Sequence, residues 1–272
     1  MMLNEITIGQ YFPGRSLLHR MDPRVKLVLT FAYIFAVFVP RNWAGLSVAA
    51  GFLLFTVILS RLPVRLVFKS VKPILPVILL TSLLNIFYVT GGVHLFDWGF
   101  IHITTKGITT AAFIAIRILC LISGSSLLTY TTSPTTLTDA LERLLSPLKV
   151  IRLNVHELAM MMTIALRFIP TLIEETDKIM SAQKARGADL ESGGMMQRVR
   201  ALIPILIPLF VSSFRRAYEL ATAMECRCYR GGEGRTRMKQ LHMKTADVVS
   251  VMFVLLLIAL LFYLNYTLPS VL

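Results

Sequence analysis

Two arginines each lie between small side chains at the end of a predicted helix. Arg186 belongs to the run Ala185-Arg186-Gly187, and Arg227 belongs to Cys226-Arg227-Cys228. An arginine offers a planar, permanently charged fork of donors, and small neighbours let the walls of a groove approach the backbone closely. The pattern therefore predicts two docking tips for protein partners, formed by Ala185, Arg186, Gly187, Cys226, Arg227 and Cys228.

The residues that precede the two arginines also match. Ser181–Gly187 and Thr222–Cys228 share the order hydroxyl, Ala, long side chain, charge, small residue, Arg, small residue, and the arginines are 41 positions apart. A motif that occurs twice predicts two equivalent receptor sites on the partners, such as the two halves of a pseudo-symmetric dimer. The alternative for either arginine alone is a solvated helix cap, which the helix dipole favours.

Residues with catalytic chemistry are not clustered in the sequence. The histidines are scattered, at His19, His94, His102, His156 and His242. Cys226 and Cys228 would point about 200° apart on a helix, so they cannot share a metal ion and are expected to be packing residues. The sequence contains no Gly-x-x-x-x-Gly-Lys-[Ser/Thr] pattern. We therefore expect no ATP site, no metal, no cofactor and no enzyme activity in this chain.

Composition indicates a membrane protein. Hydrophobic residues make up 55% of the chain, mean hydropathy is +0.68, and Val248–Leu264 contains no charge. A net charge of +13 also suits nucleic acid, but a nucleic-acid binder has no use for such apolar runs. Residues 1–24 lack the apolar core of a signal peptide. We expect five spans within an all-α fold, at 25–39, 44–60, 74–89, 107–130 and 246–268.

The distribution of Lys and Arg predicts the orientation. Four lie before or at the start of the first span, and one follows it. Four lie in the next loop and one in the loop after that, whereas 17 lie in 131–245 and none after the fifth span. Because cytoplasmic segments carry the excess of cations, the N-terminus is expected inside and the C-terminus outside the cell. The predicted organisation is a cytoplasmic segment 1–24, spans one to four within 25–131, a cytoplasmic helical domain 132–245 and a fifth span 246–268.

The cytoplasmic domain is expected to contain two long amphipathic helices that end at the tips. Shorter helices are predicted near Leu137–Leu145 and Val155–Phe168. Pro170 is expected to open the first long helix, Thr171–Arg186, and Gly231-Gly232 to stop the second, Leu209–Cys228. Cations of the following loop are expected to meet anionic lipid headgroups, namely Arg230, Arg235, Arg237 and Lys239.

Arg117 is the one ionisable residue predicted at mid-depth in a span. Such a residue can mark an ion or proton carrier, but a permanent cation cannot relay protons at ordinary pH. We expect Arg117 to face the bundle or contact a partner, with backbone carbonyls or an acid of another chain as its acceptor.

The whole chain resembles the transmembrane coupling (T) component of energy-coupling factor (ECF) transporters. The resemblance lies in Gly9–Ser16, Leu18–Lys26 and Ala165–Pro170, and in the two three-residue Arg signatures at 185–187 and 226–228. It departs from the family pattern where cysteines flank Arg227.

The resemblance implies a mechanism and partners. Two cytoplasmic ATPase subunits would each receive one Arg tip, and a substrate-binding membrane S component would pack on the chain. Closure of the ATPases on ATP would then move the helices and release a vitamin or similar micronutrient inside a bacterial cell. The alternative is a permease subunit of another ATP-driven importer, which usually carries one coupling loop per chain. An intramembrane enzyme is disfavoured because clustered Asp, Glu or His is missing from the spans.

Overall fold

The computed structural model of the 272-residue chain describes residues 11–89, 91, 93–98, 101–151, 154–188, 194–231 and 242–269. In chain order, these residues form α1 (Leu17–Arg20), α2 (Pro23–Phe38), α3 (Trp43–Ser60), α4 (Val64–Val71), α5 (Leu75–Tyr88), β1 (His94–Trp98), β2 (Ile101–Thr104), α6 (Thr105–Thr131), α7 (Pro134–Leu145), α8 (Val155–Ala185), α9 (Met195–Cys226) and α10 (Thr245–Thr267). The all-α membrane class is confirmed. The antiparallel hairpin β1–β2 is a local exception that the sequence pattern did not predict.

The chain divides into two compact units, and the boundary lies within α7. The first unit contains Leu141–Met238, and the second contains Gly9–Ala140 with Lys239–Leu272. Predicted boundaries such as Gly92, Gly193 and Gly232 lie outside the described residues, as do Gly9, Arg235, Arg237 and Lys239 of the motif and loop predictions.

Six described helical segments are long and apolar enough to cross a membrane, judged by length and composition alone. They are Trp43–Ser60, Val64–Tyr88, Thr105–Thr131, Val155–Ala185, Arg200–Cys226 and Thr245–Thr267. The expected first span is α2, whose 16 residues extend about 24 Å at 1.5 Å per residue. The third span begins earlier than expected, because Lys72–Ile74 form a 3-10 turn that joins α4 to α5.

Three prolines lie inside the two long helices, and one of them, Pro170, was expected to begin a helix. Pro170 does not open a new helix but lies within α8, and Pro204 and Pro208 lie within α9. The predicted start of α9 at Leu209 is therefore wrong by 14 residues, and its end is Cys226 rather than Cys228. Each proline removes one backbone hydrogen-bond donor. The helices nevertheless continue on both sides of each proline.

The core of the second unit lies among α2, α3, α6 and α10. Tyr33, Val37 and Ala49 are buried there with Leu257 and Leu261. Gly124 of α6 lets α2 approach closely, since a Cβ at this position would lie 2.6 Å from Tyr33 Cε1.

A buried carboxylate joins the beginnings of α2 and α10. Asp247, 1% exposed, accepts the backbone N–H of Asp22 at 2.9 Å and that of Lys244 at 2.7 Å. Asp22 caps α2 by accepting the N–H of Arg24, whose guanidinium pairs with the same carboxylate at 2.7 Å. Most of the motif from Asp22 to Lys26 is thus an anchor for helix ends.

The same end of α2 also holds the end of α6. The Nζ of buried Lys26 donates to the Thr131 carbonyl and to Thr132 Oγ1, both at 3.1 Å. Ahead of α2, the N–H of Phe12 donates to the Tyr130 carbonyl at 2.9 Å, and Nε2 of His19 donates to the Phe12 carbonyl at 3.0 Å. Burial lowers the pKa of His19, which favours the neutral ring with its proton on Nε2.

Replacement of Asp247 by alanine should destabilise the protein strongly. Asp247→Ala leaves the buried N–H of Asp22 without its acceptor and removes the cap of α10, for a loss of about 2–4 kcal/mol. Unfolding of the purified chain in detergent, followed by tryptophan fluorescence, measures the change. Thr245→Ala, at an exposed position of the same turn, is the matched control; equal stability of the two variants would contradict the assignment.

Candidate functional site: two arginine-tipped helices

The first predicted tip is a left-handed cap at the end of α8. Arg186 is the C-cap residue, and Gly187 adopts φ +84°. The N–H of Gly187 donates to the Lys184 carbonyl at 3.0 Å, and that of Ala188 to the Gln183 carbonyl at 2.9 Å. These two bonds define a Schellman motif, in which the left-handed residue follows the cap.

The second tip has the same backbone geometry at the end of α9. The N–H of Cys228 donates to the Glu225 carbonyl at 2.8 Å, and that of Tyr229 to the Met224 carbonyl at 3.1 Å. Cys228 adopts φ +54°, which corresponds to Gly187 of the first tip. The sequence echo therefore reflects one structural motif that occurs twice, with Arg186 and Arg227 in equivalent C-cap positions.

The side chains of both tips face solvent. Ala185, Arg186, Gly187, Cys226, Arg227 and Cys228 are all exposed. The expectation that the two cysteines are packing residues is wrong, because both thiols are free and exposed. No group of three metal-binding side chains occurs among the described residues.

The two long helices pair in antiparallel fashion. Gln183 Nε2 donates to the Pro204 carbonyl at 3.2 Å. This carbonyl needs a partner because Pro208, four residues later, has no N–H to give it. Further along the pair, Glu175 accepts from the hydroxyl of Ser212 and forms an ion pair with Arg216 at 2.9 Å.

Antiparallel pairing places the tips at opposite ends of the pair. Arg186 lies three residues after Gln183, whose side chain donates to the Pro204 carbonyl. Arg227 follows 23 residues after Pro204, which is about 35 Å along a helix axis. The two guanidinium groups therefore lie too far apart to form one shared site.

Arg117, the predicted intramembrane contact, lies elsewhere, on α6 in the second unit. Its guanidinium donates to the Pro40 carbonyl, just beyond the end of α2, and lies 4.9 Å from the centre of the Phe113 ring. The Phe113 ring in turn packs edge to face against the Trp43 ring, with the ring centres 5.3 Å apart. A backbone carbonyl thus accepts from this cation, as one of the expected arrangements requires.

Sequence reasoning missed the carboxylate anchor of Asp22 and Asp247. The signal was present in part, because Asp before Pro marks a helix start and an acid at the third helical position marks a capped N-terminus. That the two ends meet depends on a contact across 225 positions, which a single sequence does not reveal.

The chain is similar in sequence to one family of membrane transport proteins. Residues 14–238 match the family described as cobalt transport protein. The chain is 56% identical over 248 residues to the energy-coupling factor transporter transmembrane protein EcfT of Ruminiclostridium cellulolyticum, covering 91% of this chain and 92% of the relative. It is 52% identical to that of Clostridium kluyveri (95% and 96% covered) and 47% identical to that of Bacillus subtilis (97% and 100% covered).

Replacement of Cys228 by glycine should stabilise the second tip. A residue with a Cβ in the left-handed region costs about 1 kcal/mol or more, a strain that glycine does not have. Cys228→Gly is expected to slow hydrogen exchange in a peptide covering 222–230, measured by mass spectrometry. Cys226→Gly, two positions earlier in the helix, should instead speed exchange. Faster exchange in both variants would show that the conformation at 228 is not strained.

Proposed function

This chain belongs to the family of energy-coupling factor transporter transmembrane proteins, and we propose that it links two cytoplasmic ATPase subunits to a substrate-binding membrane S component. The observation that carries the proposal is the pair of matched tips at opposite ends of α8 and α9. Two ATPase subunits offer two equivalent grooves, and each groove receives one exposed arginine.

The chemistry of the tips supports docking. A Schellman cap turns the chain away directly after the arginine, so the guanidinium stands at the end of the helix with small neighbours beside it. The planar fork can hold a carboxylate or a pair of carbonyls in the groove of a partner. ATP is bound and hydrolysed in the partner subunits, since this chain carries no phosphate-binding loop.

Charge supports the placement of α8 and α9 on the cytoplasmic side, although both are apolar enough to be counted as candidate spans. In α9 the uncharged run 201–214 is followed at once by Arg215 and Arg216, and this run is shorter than the roughly 20 residues that a span needs. In α8, Arg167 interrupts the apolar stretch and four charges occupy 174–178. Charges within a span are costly, whereas helices along the inner face of the membrane keep them solvated.

An exposed apolar stripe on α9 supports a membrane partner. Its members are large side chains, 49–77% exposed: Leu202, Leu206, Phe210, Phe214 and Tyr218. Contiguous exposed apolar surface of this kind marks an interaction site, and we assign it to the S component. ATP-driven movement of the tips would reach the S component through this surface and release a vitamin or similar micronutrient inside the cell.

Reversal of the tip charges should release the ATPases. In membranes that contain the candidate ATPase pair, Arg186→Glu and Arg227→Glu should each reduce ATPase co-purification at least fivefold, because a carboxylate repels the groups that hold a guanidinium. Arg215→Glu, at an exposed position of α9 outside both tips, is the control. Undiminished co-purification of both tip variants would mean that the tips are ordinary helix caps.

The proposed orientation places Arg20 inside and Tyr266 outside the bacterial cell. In a chain with Cys120→Ala, Cys226→Ala and Cys228→Gly, a membrane-impermeant maleimide should label Tyr266→Cys, whose native side chain is 92% exposed, in intact cells. Arg20→Cys, also at an exposed position, should be labelled only after permeabilisation. The reverse pattern would overturn the orientation derived from the cation distribution.

A further inference from the structure

A large cavity lies inside the second unit, among α1, α2, α3, α6 and α10. Its volume is about 490 Å³, and side chains such as Leu18, Met21, Tyr33, Leu53 and Val254 line it. Pockets of about 300–1,000 Å³ hold small-molecule ligands in other proteins.

Four hydroxyl groups on the wall already donate hydrogen bonds within the bundle. Thr30, Thr56 and Ser250 donate their hydroxyls to carbonyls of their own helices, those of Lys26, Leu53 and Ala246. Tyr33 donates to the Ala49 carbonyl at 3.2 Å. Most of the remaining wall is apolar, and ordered water needs two to four polar partners, so the wall favours an apolar occupant.

The cavity has the depth and the opening of a site for a lipid chain. Along α10 it extends from Thr245 to Val254, about 14 Å, which is close to half of the ~30 Å hydrocarbon thickness of a bilayer. Phe55 and Phe253 belong to its wall and are each 55% exposed. The cavity is therefore accessible from the surface of the bundle that faces lipid.

The shallow end of the cavity is cationic. Lys26 is part of the wall, and its ammonium group has three donors, two of which reach Thr131 and Thr132. Arg20 is exposed on α1 between Leu17, Leu18 and Met21, which all line the cavity. Arg20 ends α1 and Lys26 lies in the first turns of α2, so both cations lie at the end of the cavity where α2 and α10 begin.

We propose that this cavity binds one acyl chain of an anionic phospholipid, from the leaflet that faces the N-terminal segment, with the headgroup phosphate beside Lys26 and Arg20. The lipid fills the gap between α2, α3 and α10 and so completes the packing of the bundle. This site involves neither docking tip, so its existence does not depend on the proposed coupling function.

Native mass spectrometry of the full chain in detergent tests the proposal, with added phosphatidylglycerol or phosphatidylcholine as probes. The wild type should retain one phosphatidylglycerol per chain, at least fivefold more than phosphatidylcholine. Ser250→Phe fills the cavity and should reduce retention at least fivefold. Met252→Phe, at a position of the same helix that is 65% exposed and lies outside the wall, should leave retention unchanged.

A second pair of variants covers the case in which Ser250→Phe does not fold. Thr56→Phe fills the cavity from α3, and Leu54→Phe, 63% exposed and outside the wall, is its control. Equal retention by filled and control variants, equal retention of the two lipids, or no retained lipid in the wild type would each overturn the proposal. So would loss of the lipid from the assembled transporter together with weaker assembly of Ser250→Phe, since a partner side chain would then occupy the cavity.

Discussion

The contact between Asp247 and the backbone of Asp22 is the constraint on which the organisation of the membrane bundle depends. Four residues further along α2, Lys26 holds Thr131 and Thr132. Thr132 lies just before α7, within which the second unit ends, and α10 begins at Thr245 after the chain has returned to that unit. A buried carboxylate and a buried ammonium are expensive to desolvate, and here each is satisfied by groups that define a helix end. The beginning of α2 therefore holds the chain on both sides of the segment that carries the tips.

Backbone conformation makes the two tips equivalent where their sequences differ. Gly187 occupies the left-handed position at no steric cost, whereas Cys228 occupies it with strain, yet the hydrogen bonds after Arg186 and Arg227 are the same. The requirement at the third position of each signature is thus a conformation rather than a side chain. A small residue meets that requirement and also leaves the arginine uncovered, which explains why a thiol can stand where glycine does in the other tip.

Much of the fold could be predicted from the sequence, because apolar run length, cation distribution and cap residues are local signals. The fifth span, the fourth span and both tips follow from such signals, and the family resemblance rested on them. The interior prolines could not be predicted in the same way. Pro208 frees the Pro204 carbonyl, and the donor that contacts this carbonyl is Gln183, 21 residues away in the sequence. The anchor of Asp247, the cavity and the hairpin likewise arise from contacts between distant segments.

The contacts between α8 and α9 explain how one pair of helices can present both tips and an exposed apolar stripe. Glu175 with Ser212 and Arg216, and Gln183 with Pro204, are directional polar contacts that set the register of the pair. Apolar packing would have set it less sharply and would have consumed the large side chains of α9. The stripe from Leu202 to Tyr218 takes no part in these polar contacts and stays exposed. If the proposed coupling function holds, the register that these contacts set also fixes the position of the stripe relative to the two tips.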